Sequence, residues 1–479
     1  MRALFLVHRY LGIAASLVLL LWSLSGIVMM YKQYPELDHF EKISLLENIR
    51  FKQCCELKYL SFLARDFSKA SVEMLAGAPV VRLKTNDNEL LTYALNGGVF
   101  INAISEQRAH VIANRLMRDR QMNSDFVNLQ SIHSDQWTIG SQYHPHRPLY
   151  KFDVNDEFGT EFYVSSYNGE IVQLTRAEQR VWGYLGPVVH WLFPQSLREN
   201  SFLWRNLVIG LAVMGIFLTF TGLVVGFKQL KNSGLRRENR GLSPYRGAHL
   251  FHHYLGLIFG VVTLAWVSSG LLSMNPQGIL IGDGAELESQ RLQARFLAID
   301  ELSLVLGDQE FHRLASDYAR VDFSMVNGNL SMVASTTDGT RYLLEKGSYD
   351  HVSFPSETLQ ILAEKLQPDF PVVSQQLLSE ADGYYYSRHE PMEFPVYRVV
   401  IGDTQGSRYY LSPVSGEIVM KVDRDARWYR WLFYAVHRMD FAAISRSTPV
   451  RDVFMLLLLA GVVTLCGTGT WLAVRRVLR

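Results

Sequence analysis

Cysteine is nearly absent: the 479 residues hold three, Cys54 and Cys55 side by side and Cys466 alone. Three thiols so placed build no disulfide framework and match no zinc-ligand spacing, so they are expected to be incidental. Neither sign of charge is in excess, with 47 Lys and Arg against 46 Asp and Glu. That balance argues against a nucleic-acid partner. No G-x-G-x-x-G stands between a strand and a helix, so the chain offers no nicotinamide or flavin fold of its own.

Charge is missing from four apolar stretches, residues 10–31, 203–227, 254–274 and 453–474, apart from Arg205 near one end. Each is long enough to cross a bilayer, which takes about 20 apolar residues as helix. With no acidic residue and no broken-helix signature in them, an ion-coupled transporter is disfavoured. The first stretch exceeds the roughly 7 to 15 apolar residues of a signal peptide and no A-x-A-like site follows it. It is expected to be a permanent helix.

Lys and Arg cluster on one side of these stretches: Arg2 and Arg9 before the first, Lys228, Lys231, Arg236, Arg237, Arg240 and Arg246 between the second and third, and Arg475, Arg476 and Arg479 after the fourth. Basic flanks remain in the cytoplasm, so both termini are expected there and the two long polar segments on the outer side. The layout is then a membrane helix over 3–31, an outer domain over 32–202, a helix over 203–227, a basic cytoplasmic loop over 228–248, a helix over 249–274, a second outer domain over 275–452 and a helix over 453–475.

The chain repeats itself. "VHRYLGIAASLVLLLWSLSG" from Val7 returns as "FHHYLGLIFGVVTLAWVSSG" from Phe251, so His8, Tyr10, Leu11, Gly12, Trp22, Ser25 and Gly26 correspond to His252, Tyr254, Leu255, Gly256, Trp266, Ser269 and Gly270. "EFYVSSYNGEIV" from Glu161 parallels "RYYLSPVSGEIV" from Arg408, and each reads as a hairpin turning at Asn168-Gly169 or Ser415-Gly416. Aromatic-rich helical segments follow, carrying His190 and His437. Then come helices entered through Arg205 and Arg451 and containing Thr221-Gly222 and Thr468-Gly469. The fold expected is an α+β membrane protein, with four transmembrane helices in a bundle formed by two tandem repeats and an α+β extracytoplasmic domain in each. Both copies run the same way, which stands the pseudo-two-fold axis along the membrane normal.

Of fourteen histidines the repeat selects two pairs, His8 with His252 and His190 with His437. His249 and His253 flank His252, so either is an alternative at that position. Two neutral imidazoles opposed across an axis are what six-coordinate haem iron needs, and a four-helix bundle provides an apolar slot with inward ligands. The bland alternative is interfacial histidine, and the symmetric doubling weighs against it. Arg205 and Arg451 suit haem carboxylates or lipid headgroups. The repeated glycines and serines, and Trp22 with Trp266, fit a macrocycle or ordinary helix packing.

With the "HRYLG" and "HHYLG" openings at His8 and His252, the "SGEIV"-type hairpins and a histidine ahead of helices containing "TG", the chain resembles the PepSY-associated transmembrane family over essentially its full length. The resemblance implies two periplasmic PepSY-type parts, about 104–174 and 356–422. It also implies b-type haem, two in number, on His8, His252, His190 and His437, as in haem-containing ferric-siderophore reductases of a bacterial inner membrane. Pro187 beside His190 has no counterpart beside His437, a departure that puts equal presentation of the outer ligands in question.

The function so implied is a di-haem electron carrier, an oxidoreductase passing electrons from a quinol or soluble donor to a periplasmic acceptor such as a ferric siderophore. A helix of 22 residues spans about 33 Å, so two haems at different depths are expected. The segments "YHPHRPLY" from Tyr143 and "GYYYSRHE" from Gly383 offer aromatics and cations to an anionic chelate. The rival is a non-catalytic PepSY membrane module that binds peptides, restrains a protease or assists iron uptake.

Overall fold

The computed structural model describes residues 2–52, 54–55, 67–120, 122, 126–235, 243–278, 280, 282–388, 391–441 and 448–479. The chain divides into two units. The first comprises Met1–Pro35, Glu178–Gly282 and Asp425–Arg479, and the second Glu36–Ala177 and Asp283–Arg424.

Four helices of the first unit are long and apolar enough to cross a membrane: α1 (Arg2–Met29), α2 (Ser201–Leu235), α3 (Ala248–Ser273) and α4 (Thr448–Val477). Their apolar residues need water nowhere, and the helix satisfies its own backbone, which is the condition for spanning lipid. α1 and α3 each pack against both α2 and α4. Ala15, Leu19, Leu218, Trp266, Met455, Leu459 and Val462 fill the shared core. Small residues let the helices approach, as where Gly215 receives Leu19 and Val267. α2 runs on to Leu235, so Lys228 and Lys231 stand on a helix where the sequence suggested a loop. Arg236, Arg237 and Arg240 lie outside the described residues.

The second unit is α+β. Its eight-stranded antiparallel sheet draws on both long polar segments of the chain, because Phe67–Leu75 pairs with Arg320–Val326, Val72 opposite Val321. Two further four-stranded antiparallel sheets run over Phe126–Ile132, Leu149–Val154, Glu161–Ser165 and Ile171–Thr175, and over Val372–Leu378, Val396–Ile401, Arg408–Leu411 and Ile418–Val422. The amphipathic helix Glu106–Asp119 lays Ile112 and Leu116 on Phe152 and Phe162 of the first. Helix Ser356–Leu366 lays Leu359 and Leu362 on Val399 and Tyr409 of the second. Gly169 and Gly416 turn the two hairpins at φ +75° and +70°, a left-handed conformation that glycine alone adopts without penalty.

Cys54 and Cys55 are joined by a disulfide and pack with Phe51 against the core of the large sheet. This corrects the expectation of incidental thiols: the two sulfurs are adjacent, and no other cysteine was needed. Cys466 is free and buried.

Candidate functional site

His8 on α1 faces His252 on α3, with ring centres 6.3 Å apart and planes inclined at 37°. His190 faces His437 at 6.0 Å and 72°. The second pair is presented by short helices, Ala177–Gly183 and Arg424–Tyr429, which continue through single π-helical turns at Tyr184–Val188 and Arg430–Ala435. Such turns frequently accompany functional sites. Pro187 sits inside the first π turn, yet the second has the same form without it. The two outer rings therefore make matching contacts in spite of the sequence departure.

The same seat holds all four rings. His190 Nδ1 meets the Trp22 carbonyl and Ser25 Oγ, both at 3.1 Å. His437 Nδ1 meets the Trp266 carbonyl and Ser269 Oγ, again both at 3.1 Å. His8 Nδ1 lies 3.0 Å from the Leu218 carbonyl and 3.5 Å from Thr221 Oγ1, and His252 Nδ1 lies 3.2 Å from Thr468 Oγ1. The residue after each hydroxyl is a glycine, and the ring rests against it: Gly26 under His190, Gly222 under His8, Gly270 under His437 and Gly469 under His252. From His8 to Gly26, and from His252 to Gly270, is 18 residues of helix, which separates the two histidine levels by about 27 Å.

The carbonyls, which only accept, fix the tautomer at His8, His190 and His437, and the hydroxyls are oriented to agree with it. Ser25, Thr221 and Ser269 donate their own protons to the carbonyls of Leu21, Phe217 and Ala265 four residues back, and Thr468 donates to Leu465. Each oxygen is thereby left to accept from Nδ1–H. A ring whose Nδ1 carries the proton has its lone pair on Nε2, the arrangement that metal-ligating histidines obtain from carbonyl or hydroxyl partners. At the outer pair, loss of water pushes His190 down to about 4 and His437 down to about 3, so both are neutral at ordinary pH. A metal–imidazole bond is about 2 Å and the nitrogen lies about 1.1 Å from its ring centre, so two imidazoles that shared one ion between them would have centres about 6 Å apart. Both pairs meet that spacing.

His253 has both ring nitrogens engaged, Nδ1 on Ser243 Oγ at 2.8 Å and Nε2 on the Gly226 carbonyl at 3.0 Å. His249 is exposed and stacks on Tyr245. The two arginines differ: Arg205 is exposed and donates to the Asn275 carbonyl at 3.2 Å. Arg451 is buried, with Nε and Nη2 on the Arg438 carbonyl. Its Nη1 finds no hydrogen-bond acceptor among the described residues, Asp452 standing 3.6 Å away. The indole N–H groups of Trp22 and Trp266 are also buried without acceptors among the described residues.

Sequence reasoning missed Arg438, whose charge bears on both His190 and His437. It also missed the seats, although the recurring hydroxyl–glycine pair at 25–26, 221–222, 269–270 and 468–469 was a signal for them. Of the segments suggested for an anionic chelate, Tyr143 and Tyr385 are interior: Tyr143 hydrogen-bonds Gln173 and Tyr385 stacks on Tyr410. His389 and Glu390 lie outside the described residues.

Among the described residues no group of three or more His, Cys, Asp or Glu could hold a bare metal ion; the bundle's histidines come in twos. The model of the PepSY-associated TM region matches residues 5–476, and the chain belongs to that family. No curated protein matches it.

Proposed function

We propose that the chain is a di-haem b-type transmembrane electron carrier, His8 and His252 holding one haem and His190 and His437 the other. The pairing carries this reading: at each level two facing imidazoles, with Nδ1 engaged, stand at ring separations of 6.3 and 6.0 Å. Bound between such a pair, haem iron exchanges single electrons between its ferric and ferrous forms. The protein's part is to hold each ring neutral and fixed, to keep water out with an apolar bundle, and to balance carboxylates at the outer level with Arg451 and Arg438. Arg205 offers the same charge from an exposed position. The buried indole N–H groups of Trp22 and Trp266, without acceptors among the described residues, support a guest that brings acceptors with it.

The two halves are tandem repeats in this reading, supported by the constant offset between their histidines, hydroxyls and glycines. Levels about 27 Å apart suit passage across a bacterial inner membrane. The basic flanks put both termini in the cytoplasm and the PepSY-type parts, 104–174 and 356–422, in the periplasm. The donor is external, a quinol or soluble reductant. The acceptor is a ferric siderophore, which makes the activity that of a haem-dependent reductase.

Purified full-length chain from haem-replete cells is expected to show a sharp Soret band and two haems per chain by pyridine haemochrome. His8→Ala or His252→Ala should remove one, and His190→Ala or His437→Ala the other. Colourless folded protein, or haem content unchanged by all four substitutions, overturns the proposal and favours a non-catalytic PepSY module.

A further inference from the structure

The two outer rings share an arrangement that does more than hold them. His190 and His437 each give Nδ1–H a backbone carbonyl and, at the same 3.1 Å, a serine oxygen. The carbonyl alone would satisfy the N–H. Ser25 and Ser269 donate to the carbonyls of Leu21 and Ala265 at 2.7 and 2.8 Å, with the Trp22 and Trp266 carbonyls at 3.2 and 3.0 Å as further acceptors, so their protons are turned to carbonyls and their lone pairs are left to the ring. A second acceptor on Nδ1–H draws that proton outward and makes Nε2 a stronger electron donor. A stronger donor favours the more highly charged oxidation state of whatever metal it binds.

We infer that Ser25 and Ser269 are positioning residues that lower the reduction potential of the outer centre, fitting it to an acceptor that is itself hard to reduce. This rests on the reading of His190 and His437 as haem ligands. Tightly chelated ferric iron is such an acceptor, because a chelator that prefers Fe(III) lowers the potential of its iron. The apolar surroundings strengthen the effect, since a hydrogen bond in a low-dielectric interior is electrostatically stronger than in water.

The test is a spectroelectrochemical titration of the full chain in lipid nanodiscs, comparing the unsubstituted protein with the Ser25→Ala/Ser269→Ala variant. One of the two midpoints is expected to rise, its reduced-to-oxidised ratio shifting about tenfold, or about 59 mV for one electron. The other midpoint and the haem content should stay in place, and Ser25→Thr/Ser269→Thr should restore the original value. A His8→Ala background, which keeps only the outer centre, assigns the moving midpoint. Two unmoved midpoints with both haems present would overturn the inference while leaving the di-haem reading intact. So would loss of the outer haem from the alanine variant, because the hydroxyls would then retain the ring and not tune it. An unsubstituted chain without haem overturns both readings.

Discussion

Alanine in place of the four seat glycines gives a graded test of the site. A Cβ at Gly222 would lie 2.6 Å from His8 Cε1, 3.1 Å from Nδ1 and 3.5 Å from Nε2. Carbon atoms settle at about 3.5 to 4.0 Å, so the ring must retreat by about 1 Å. A metal–nitrogen bond tolerates about 0.2 Å, so on the proposed reading His8 would lose its place as a ligand. Overpacking costs about 1 to 3 kcal/mol, against a gain of roughly 0.5 to 1 kcal/mol from replacing helical glycine by alanine, which leaves Gly222→Ala destabilising. At Gly469 the nearest approach is 3.1 Å to His252, at Gly270 3.4 Å to His437, and at Gly26 3.6 Å to His190. The last is ordinary contact, so the helical gain wins there. Haem-to-protein ratio and melting temperature should fall in the order Gly26, Gly270, Gly469, Gly222, with Gly26→Ala close to the unsubstituted chain or slightly more stable. Full haem and an unchanged melting temperature in Gly222→Ala, or equal losses in all four, would refute the seats as ring supports.

Three further outcomes are expected. His253→Phe should leave the haem-to-protein ratio untouched while lowering thermal stability by about 1 to 3 kcal/mol, since Ser243 and the Gly226 carbonyl lose their partner; haem loss equal to that of His252→Ala would reassign the ligand. Arg82→Met leaves the buried Glu73 carboxylate with Arg320 at 3.6 Å in place of the closer Arg82 contact and should cost about 1 to 3 kcal/mol by chemical denaturation, with Glu73→Leu on the same background recovering part of it. Burial works to raise the Asp382 carboxyl, but the Tyr385 and Tyr384 amides, the Tyr410 hydroxyl and Arg398 hold it below the usual carboxylate range. A depressed carboxyl stabilises the fold above its unfolded value of about 3.9 and loses that contribution as pH falls through the folded one. Melting temperature should therefore drop on acidification, and Asp382→Asn should melt lower at neutral pH with a flatter acid limb.

The spans were legible because lipid imposes a composition that no soluble helix needs, and the hairpins at Gly169 and Gly416 because left-handed turns demand glycine. The eight-stranded sheet was not. Its central pairing joins Phe67–Leu75 to Arg320–Val326, strands about 250 residues apart, and alternation along either strand carries no address of its partner. The facing of His8 with His252 and of His190 with His437 was legible in the repetition, but that both ring nitrogens of His253 are occupied was not. The disulfide escaped for another reason: bonding between neighbouring cysteines leaves no spacing pattern to find.

On the proposed di-haem reading, the hydroxyl–glycine seats bear on how two centres could arise from one repeated unit. His8 is seated by Thr221 and Gly222, and His190 by Ser25 and Gly26, all within the first half of the chain; His252 is seated by Thr468 and Gly469, and His437 by Ser269 and Gly270, all within the second. Each half thus fixes the tautomer and orientation of its own two imidazoles, and only the facing of ring to ring crosses between halves. A single ancestral unit meeting a second copy across a two-fold axis would have brought together both pairs with no new residue, because in an isologous contact every ligand meets its own counterpart. Fusion of two such copies would free the halves to diverge wherever pairing does not depend on identity. Pro187, beside His190 but without a counterpart beside His437, would be such a divergence, while the carbonyl and serine contacts of the two rings are the same.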